Sequence, residues 1–117
     1  MGHFRVLLTV QVVSGREVEF EHEWLAGRDV IAGHPSNRGH WLSRAKNDSS
    51  TYYVMSDWID EASFREFERS KAHLSHRQKL HPFRVSGSMV TMSVLSGCAH
   101  AAATEDSRST VAEGAAR

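Results

Sequence analysis

The chain has 117 residues, 40% of them hydrophobic, and its formal charge is zero because fourteen Lys and Arg residues balance fourteen Asp and Glu residues. This balance provides no basic surface for nucleic acid or for an anionic membrane, so neither is expected as a partner. No apolar run reaches the roughly eighteen residues of a membrane helix, and the N-terminal segment lacks a signal-peptide pattern, which favours a cytoplasmic protein. The single cysteine, Cys98, has no disulfide partner in the chain.

The first predicted element is a strand from Arg5 to Val13, rich in β-branched residues. Two polar side chains, Thr9 and Gln11, lie on one face of it because side chains alternate along a strand. A buried strand seldom carries two such residues without use, so both are candidates for binding a substrate. A polar contact between two sheets explains them equally well.

A helix is predicted next. Ser14 and Glu17 have the spacing of a capping box, which places the helix start near Arg16. Pro35, directly after His34, ends it. The apolar stripe expected to face the core consists of Phe20, Trp24, Leu25, Val30 and Ile31.

The middle of the chain predicts a hairpin. Residues 39–46, GHWLSRAK, form its first strand and residues 51–58, TYYVMSDW, its second, with NDSS as the turn between them. By alternation, Tyr52, Val54, Ser56 and Trp58 share one face of the second strand.

A second helix follows, capped by Asp60, and it has a possible break at Ser70 before Pro82 ends it. Its predicted stripe consists of Phe64, Phe67, Leu74 and Leu80. A fourth strand, GSMVTMSVL, completes a domain that we place at residues 1–95. Residues 96–117 are small and polar without periodicity, and they are predicted to form a disordered tail.

The element order is therefore β-α-β-β-α-β. With right-handed crossovers, this order predicts a ferredoxin-like α+β fold, in which two helices cover one face of an antiparallel four-stranded sheet. The strands are apolar on both faces, so a homodimer that packs sheet against sheet, a dimeric α+β barrel, is expected.

At this level of detail the chain resembles the antibiotic biosynthesis monooxygenase family. The resemblance lies in the strand TYYVMSDW, in the segment IDEASFREFERS that follows it, and in HLSHRQKL, and it covers about Arg5 to Leu95. The segments HPSNRGHWLSR and LHPFRVSGSM are similar to those of the subgroup found in aromatic (type II) polyketide and spore-pigment pathways.

The resemblance implies a cofactor-independent monooxygenase that oxidises a phenolic, anthrone-type polyketide intermediate to a quinone. In such an enzyme the substrate supplies the electrons and molecular oxygen is the co-substrate, so neither a metal nor a flavin is needed. The protein must provide a dry slot, a base, and donors that stabilise developing negative charge.

The resemblance also aligns Trp58 with a tryptophan that these enzymes place in the pocket. A tryptophan that only packs in the core at the end of a strand would give the same sequence pattern. This chain has Val54 where better-studied members have an asparagine, four residues before the tryptophan. It has Phe64 where some members have a tyrosine. Ser56 or Tyr52 could replace the missing donor.

His73, His76 and Arg77 are spaced i, i+3, i+4, so they lie on one side of the second helix. Arg77 fits an arginine of some relatives that could stabilise a phenolate or peroxide, and either histidine could be the base. A solvated helix face would also explain all three. The HxxH spacing alone is weak support for a metal, since sites need three or four ligands.

Asn37 and Trp41 flank the exit of the first helix and are further candidates for substrate contact. A place in the dimer interface is equally plausible for Trp41, because alternation does not say which face of its strand meets the helices.

Three other functions remain open at this level. A polyketide cyclase of the same fold would use His and Arg to enolise its substrate without oxygen, and the valine at position 54 favours it slightly. A non-catalytic partner would bind the intermediate without turnover. Haem degradation on this fold would need a histidine placed to ligate iron.

Overall fold

The structure is a computed structural model, and it describes residues 3–98. The elements in chain order are β1 (His3–Val12), α1 (Glu17–Ala26), α2 (Asp29–Ala32), β2 (Asn37–Arg44), β3 (Thr51–Trp58), α3 (Glu61–Glu68), α4 (Lys71–Leu80), a 3-10 turn (His81–Phe83) and β4 (Arg84–Val94). The predicted tail falls, from residue 99 onward, outside the described residues.

The four strands form one antiparallel sheet in the order β2-β3-β1-β4. This order and the helices that cover one face of the sheet confirm the predicted ferredoxin-like α+β fold. Within residues 3–98, none of the helices has the length and apolar character needed to cross a bilayer.

The second half of the chain follows its local signals closely. Strand β3 has the predicted bounds, and Asp60 caps α3 by accepting a hydrogen bond from the Ser63 N–H at 2.8 Å. The break at Ser70 is real, since its hydroxyl caps α4 by accepting from the His73 N–H. One residue of the predicted apolar stripe is wrong, since Leu74 is exposed and His76 is the buried residue of α4.

The prediction for the first helix needs two corrections. The capping box does not form, because the Glu17 carboxylate accepts from the Gly15 N–H and from the Ser50 hydroxyl instead. The helix also ends early, at Ala26, and a separate short α2 follows Gly27. At Gly27 a Cβ would lie 2.1 Å from His76 Cδ2, so tertiary packing against α4 selects glycine there. Leu25, predicted to be buried, is half exposed.

The register of the sheet decides which side chains meet the helices. Leu8 lies opposite Val54 and Val6 lies opposite Ser56, so the even-numbered residues of β1 and β3 share the helix side. The buried hydrophobic residues are Phe4, Val6, Val10, Val12, Phe20, Trp24, Ile31, Tyr52, Val54, Trp58, Phe64 and Phe67.

The opposite face of the sheet, which we call the open sheet face, carries the odd-numbered residues of β1 and β3. Trp41 and Val90 lie on it and are about half exposed. At one end of this face Asp57 is buried and accepts two hydrogen bonds from Arg5, from Nε at 2.7 Å and from Nη2 at 2.8 Å. The Arg5 guanidinium lowers the pKa of the Asp57 carboxyl, mainly through these hydrogen bonds.

Candidate active site

A cavity of about 310 Å³ lies between the sheet and the helices. Its walls are mostly apolar side chains from β1, β3, β4 and from all four helices. They include Val6, Leu8, Val10, Phe20, Trp24, Ile31, Val54, Phe64, Phe67, Leu80 and Met89. This volume is at the lower end of the range for small-molecule pockets, roughly 300–1,000 Å³, and the apolar lining is typical of them.

Trp58 and Ser56 form a hydrogen-bonded pair in the wall of the cavity. The Trp58 indole N–H donates to Ser56 Oγ at 2.9 Å, and both side chains are buried. The indole also packs on Phe64 and Phe67, with ring centroids 5.5 and 4.7 Å away. Trp58 is therefore both a core residue and part of the cavity wall.

The three residues of the i, i+3, i+4 set on α4, namely His73, His76 and Arg77, all line the cavity. Burial lowers the pKa of His73, and the charge of Arg77 lowers it further, so the imidazole is neutral at pH 7. The His73 ring packs on Phe67 at 4.6 Å, and its buried Nδ1 has no hydrogen-bond partner among residues 3–98.

His76 differs from His73 in its surroundings. Burial again lowers the pKa, and the backbone of Glu23 and Trp24 at the end of α1 acts in the opposite direction. Its Cδ2–Nε2 edge faces Gly27, where a Cβ would lie 2.3 Å from Nε2. That nitrogen also has no partner among the described residues. His76 thus joins α4 to the end of α1 while contributing part of the cavity wall.

Two residues predicted to reach the pocket from β1 do not line the cavity. Thr9 lies opposite Tyr53 and Gln11 lies opposite Thr51, so both project from the open sheet face. Gln11 accepts a hydrogen bond there from the Thr51 hydroxyl at 3.1 Å. The strand alternation was correct, but the polar pair belongs to the side away from the helices.

Trp41 and Asn37 also lie elsewhere. Trp41 shares the open sheet face, since its partner in the register is Met55. The Asn37 amide donates to the backbone oxygens of Asp57 and Gly39, at 3.2 and 3.3 Å, across an irregularity in the pairing of β2 with β3. Its role in this structure is to hold that irregularity.

Tyr52 is on the predicted side of β3 but is not a cavity residue. Its hydroxyl donates to the carboxylate of Glu21, which also accepts from Arg44 Nη1 at 3.1 Å. Burial, with the hydrogen bond to Glu21, raises the pKa of Tyr52 to about 12. Of the two replacements considered for the missing asparagine, only Ser56 therefore reaches the cavity.

Trp24, Glu68 and Arg84 are among the cavity residues that were not predicted as site residues. Trp24 was assigned to the helix stripe, which does not distinguish a core contact from a cavity wall. Glu68 follows Phe67 on α3 and accepts a hydrogen bond from Arg65 Nη1 at 3.1 Å. Arg84 has no sequence signal, because its direction depends on an irregularity in the sheet. Within residues 3–98, no three His, Cys, Asp or Glu side chains converge as a metal site would require.

The fold and the cavity together define a small ferredoxin-like protein with a compact, largely apolar cavity between its sheet and its helices. The chain belongs to the antibiotic biosynthesis monooxygenase family, whose sequence profile matches residues 3–79. A search of curated proteins found no match.

Solved structures with the same fold come from several organisms. SnoaB, a cofactor-independent oxygenase from Streptomyces nogalater, superposes with a TM-score of 0.75 at 18% identity, over 83% of this chain and 97% of its own. A protein from Pseudomonas aeruginosa gives 0.73 at 14% identity, over 82% and 97%. A protein from Methanosarcina mazei gives 0.73 at 15% identity, over 79% and 92%. At these identities the likeness concerns the fold.

Proposed function

We propose that this protein is a cofactor-independent monooxygenase of aromatic polyketide biosynthesis, which oxidises a phenolic, anthrone-type intermediate to a quinone with molecular oxygen. The observation that carries the proposal is the cavity itself. It combines aromatic walls, the Trp58–Ser56 pair and a neutral imidazole with an unpartnered nitrogen. SnoaB, a cofactor-independent oxygenase of the same fold, supports it.

The reaction needs few groups from the protein. A base removes a proton from the ring carbon that is to be oxidised, and the delocalised carbanion passes one electron to oxygen. The radical pair combines to a peroxide on that carbon, which takes up a proton and loses water to leave a carbonyl. Overall, a CH₂ group and O₂ become a C=O group and water.

His73 is the base in this proposal. Its lowered pKa keeps it unprotonated at neutral pH, and its unpartnered nitrogen is free to accept a proton. His76 is less suited because its free nitrogen faces Gly27. Arg77 stabilises the phenolate or peroxide.

The Ser56 hydroxyl is the donor to the substrate oxygen. Because its oxygen accepts from Trp58, its own hydrogen is available to a ligand, and no residue among 3–98 takes it. Ser56 thus supplies the hydrogen-bond donor that Val54 lacks.

The test is oxygen consumption by the purified protein with an anthrone, followed with an oxygen electrode. We expect turnover in metal-free and flavin-free buffer, and a rate that rises with pH through a midpoint below the ordinary histidine value of about 6.5. The sign follows from the base role, since protonation at low pH removes it. The His73→Gln variant should lose this pH dependence together with most of the rate. Lack of oxygen uptake would contradict the proposal.

A polyketide cyclase is the second candidate, and Val54 in the cavity wall is the observation that favours it. A cyclase would convert a linear polyketide analogue without consuming oxygen, so the same electrode separates the two functions when the product is followed by absorbance.

We further propose that two copies pack through their open sheet faces. Val90 is 55% exposed on this face, so Val90→Lys should leave the monomer folded but convert the dimer to monomer, because burying a lysine pair opposes association. Light scattering measures the mass.

The matched control for this change is Val18→Lys, since Val18 is 80% exposed on α1, away from the sheet. It should keep the dimer. A wild-type protein that is monomeric at micromolar concentration would rule out the assembly.

A further inference from the structure

Arg84 reaches the cavity because of an irregularity in the sheet. Gln11 pairs with Ser86 but Val12 pairs with Arg84, so β4 has one extra residue at this point. Without it, Arg84 and Gly87 would lie on opposite faces, since they are three positions apart. With it, both face the helix side, opposite the buried Val12 and Val10. Bulges commonly redirect a side chain beside a site.

Gly87 provides the space for the Arg84 guanidinium. A Cβ at Gly87 would lie 2.5 Å from Arg84 Nη2 and 3.1 Å from Cζ. The guanidinium therefore lies over the backbone of β4 at the position where any other residue would place its side chain. Both residues line the cavity, together with Arg77 from α4.

Arg77 and Arg84 bring two positive charges to the cavity wall. Among residues 3–98, neither Arg77 nor Arg84 forms an ion pair. The carboxylate of the cavity, Glu68, is held by Arg65 at 3.1 Å. The segment that supplies both arginines, residues 69–98, contains no Asp or Glu. It contains five cationic residues, Arg69, Lys71, Arg77, Lys79 and Arg84.

From this geometry we infer that Arg84 is a specificity-determining residue that binds the carboxylate of a polycyclic aromatic acid held in the cavity. The apolar walls take the rings, and the guanidinium offers paired N–H donors that match a carboxylate. Arg77, which also lines the cavity, adds a second positive charge. The inference rests on the proposed function for the aromatic body of the ligand and adds the acidic group to it.

The experiment compares two ligands of similar shape by titration calorimetry without turnover. They are 9-anthracenecarboxylate and the neutral 9-anthracenemethanol. We expect wild-type protein to bind the carboxylate about ten- to a hundredfold more tightly, the range of one charge-assisted hydrogen bond. The Arg84→Gln variant should lose this preference while its affinity for the alcohol stays within about twofold.

Two further variants separate a specific role from a general effect of charge or folding. Gly87→Ala keeps every charge but displaces the guanidinium, so it should also reduce the preference. Arg69→Gln removes the same charge from an exposed position outside the cavity and should keep it. Thermal melts establish that each variant is folded.

The inference is overturned if wild-type protein binds both ligands equally, binds neither, or keeps its preference in Arg84→Gln and Gly87→Ala. These outcomes are independent of oxygen uptake. A protein that prefers the carboxylate but consumes no oxygen would contradict the proposed oxygenase function and would still support the anion site.

Discussion

The Ser56→Ala variant should turn over an anthrone about a hundredfold more slowly than wild type, the range for removing one donor to a developing oxyanion. Ser56 is the polar group of β3 that lines the cavity with its hydrogen uncommitted, and Trp58 holds its oxygen at 2.9 Å. Steady-state oxygen consumption measures the rate. Ser43→Ala, on the opposite face of the sheet, is the matched control and should retain full activity.

Trp58→Phe should have a smaller effect on rate than Ser56→Ala, because it removes the group that orients the donor and not the donor itself. It should also lower stability, since Trp58 is 1% exposed and the smaller ring leaves a cavity beside Phe67. The two effects separate when melts and rates are taken on one sample.

Val54→Asn provides the converse of this test. In the Ser56→Ala background it should restore part of the lost rate, since Val54 lines the same cavity and the amide supplies a donor. An unchanged rate in Ser56→Ala would contradict the role of the serine. Reduced stability without any gain in rate from the asparagine would favour the cyclase.

Arg5→Met is expected to produce the largest loss of stability, about 2–3 kcal/mol in the free energy of unfolding at pH 7. Removing one partner of a fully buried ion pair costs about 3–5 kcal/mol, and the Arg5 side chain is one-third exposed, which reduces the effect. Asp57 would be left buried, with His3 Nε2 3.2 Å from its Oδ2. Chemical denaturation measures the change.

The pH dependence gives this prediction a second readout. The pKa of Asp57 is lowered in the folded protein, so its contribution is present above the unfolded value of about 3.9 and is lost as the pH falls through the folded value. As the pH falls from about 5 to about 3, the free energy of unfolding of Arg5→Met should therefore decrease less than that of the wild-type protein. Equal stability and equal acid sensitivity would show that the ion pair contributes nothing. Arg69→Met, at an exposed position, is the control for the loss of charge.

The parts of the fold that sequence predicted are those with local causes. The sequence predicted the cap at Asp60 and the break at Ser70, because each depends on a side chain and an N–H only three residues away. The sequence did not predict the early end of α1, because glycine is required at position 27 by the imidazole of His76 on α4, which is distant in sequence.

The same distinction applies to the site. Helical spacing predicted that His73, His76 and Arg77 share a side, and all three line the cavity. Alternation along β1 could not say whether Thr9 faces the helices, since both faces of the strand carry apolar residues. The sequence could not predict that Arg84 lines the cavity, because a shift in the pairing of β1 with β4 decides which face of the sheet its side chain is on.

The three tryptophans of the chain are divided between two environments. Trp24 and Trp58 are buried in the cavity wall, whereas Trp41 is half exposed on the open sheet face. Intrinsic fluorescence can therefore follow two events independently. In a Trp41→Phe protein the emission reports occupancy of the cavity, since a bound polycyclic ligand would quench both remaining indoles. In the wild-type protein, a blue shift that depends on concentration and is absent from Trp41→Phe would report burial of the open sheet face, without any added dye.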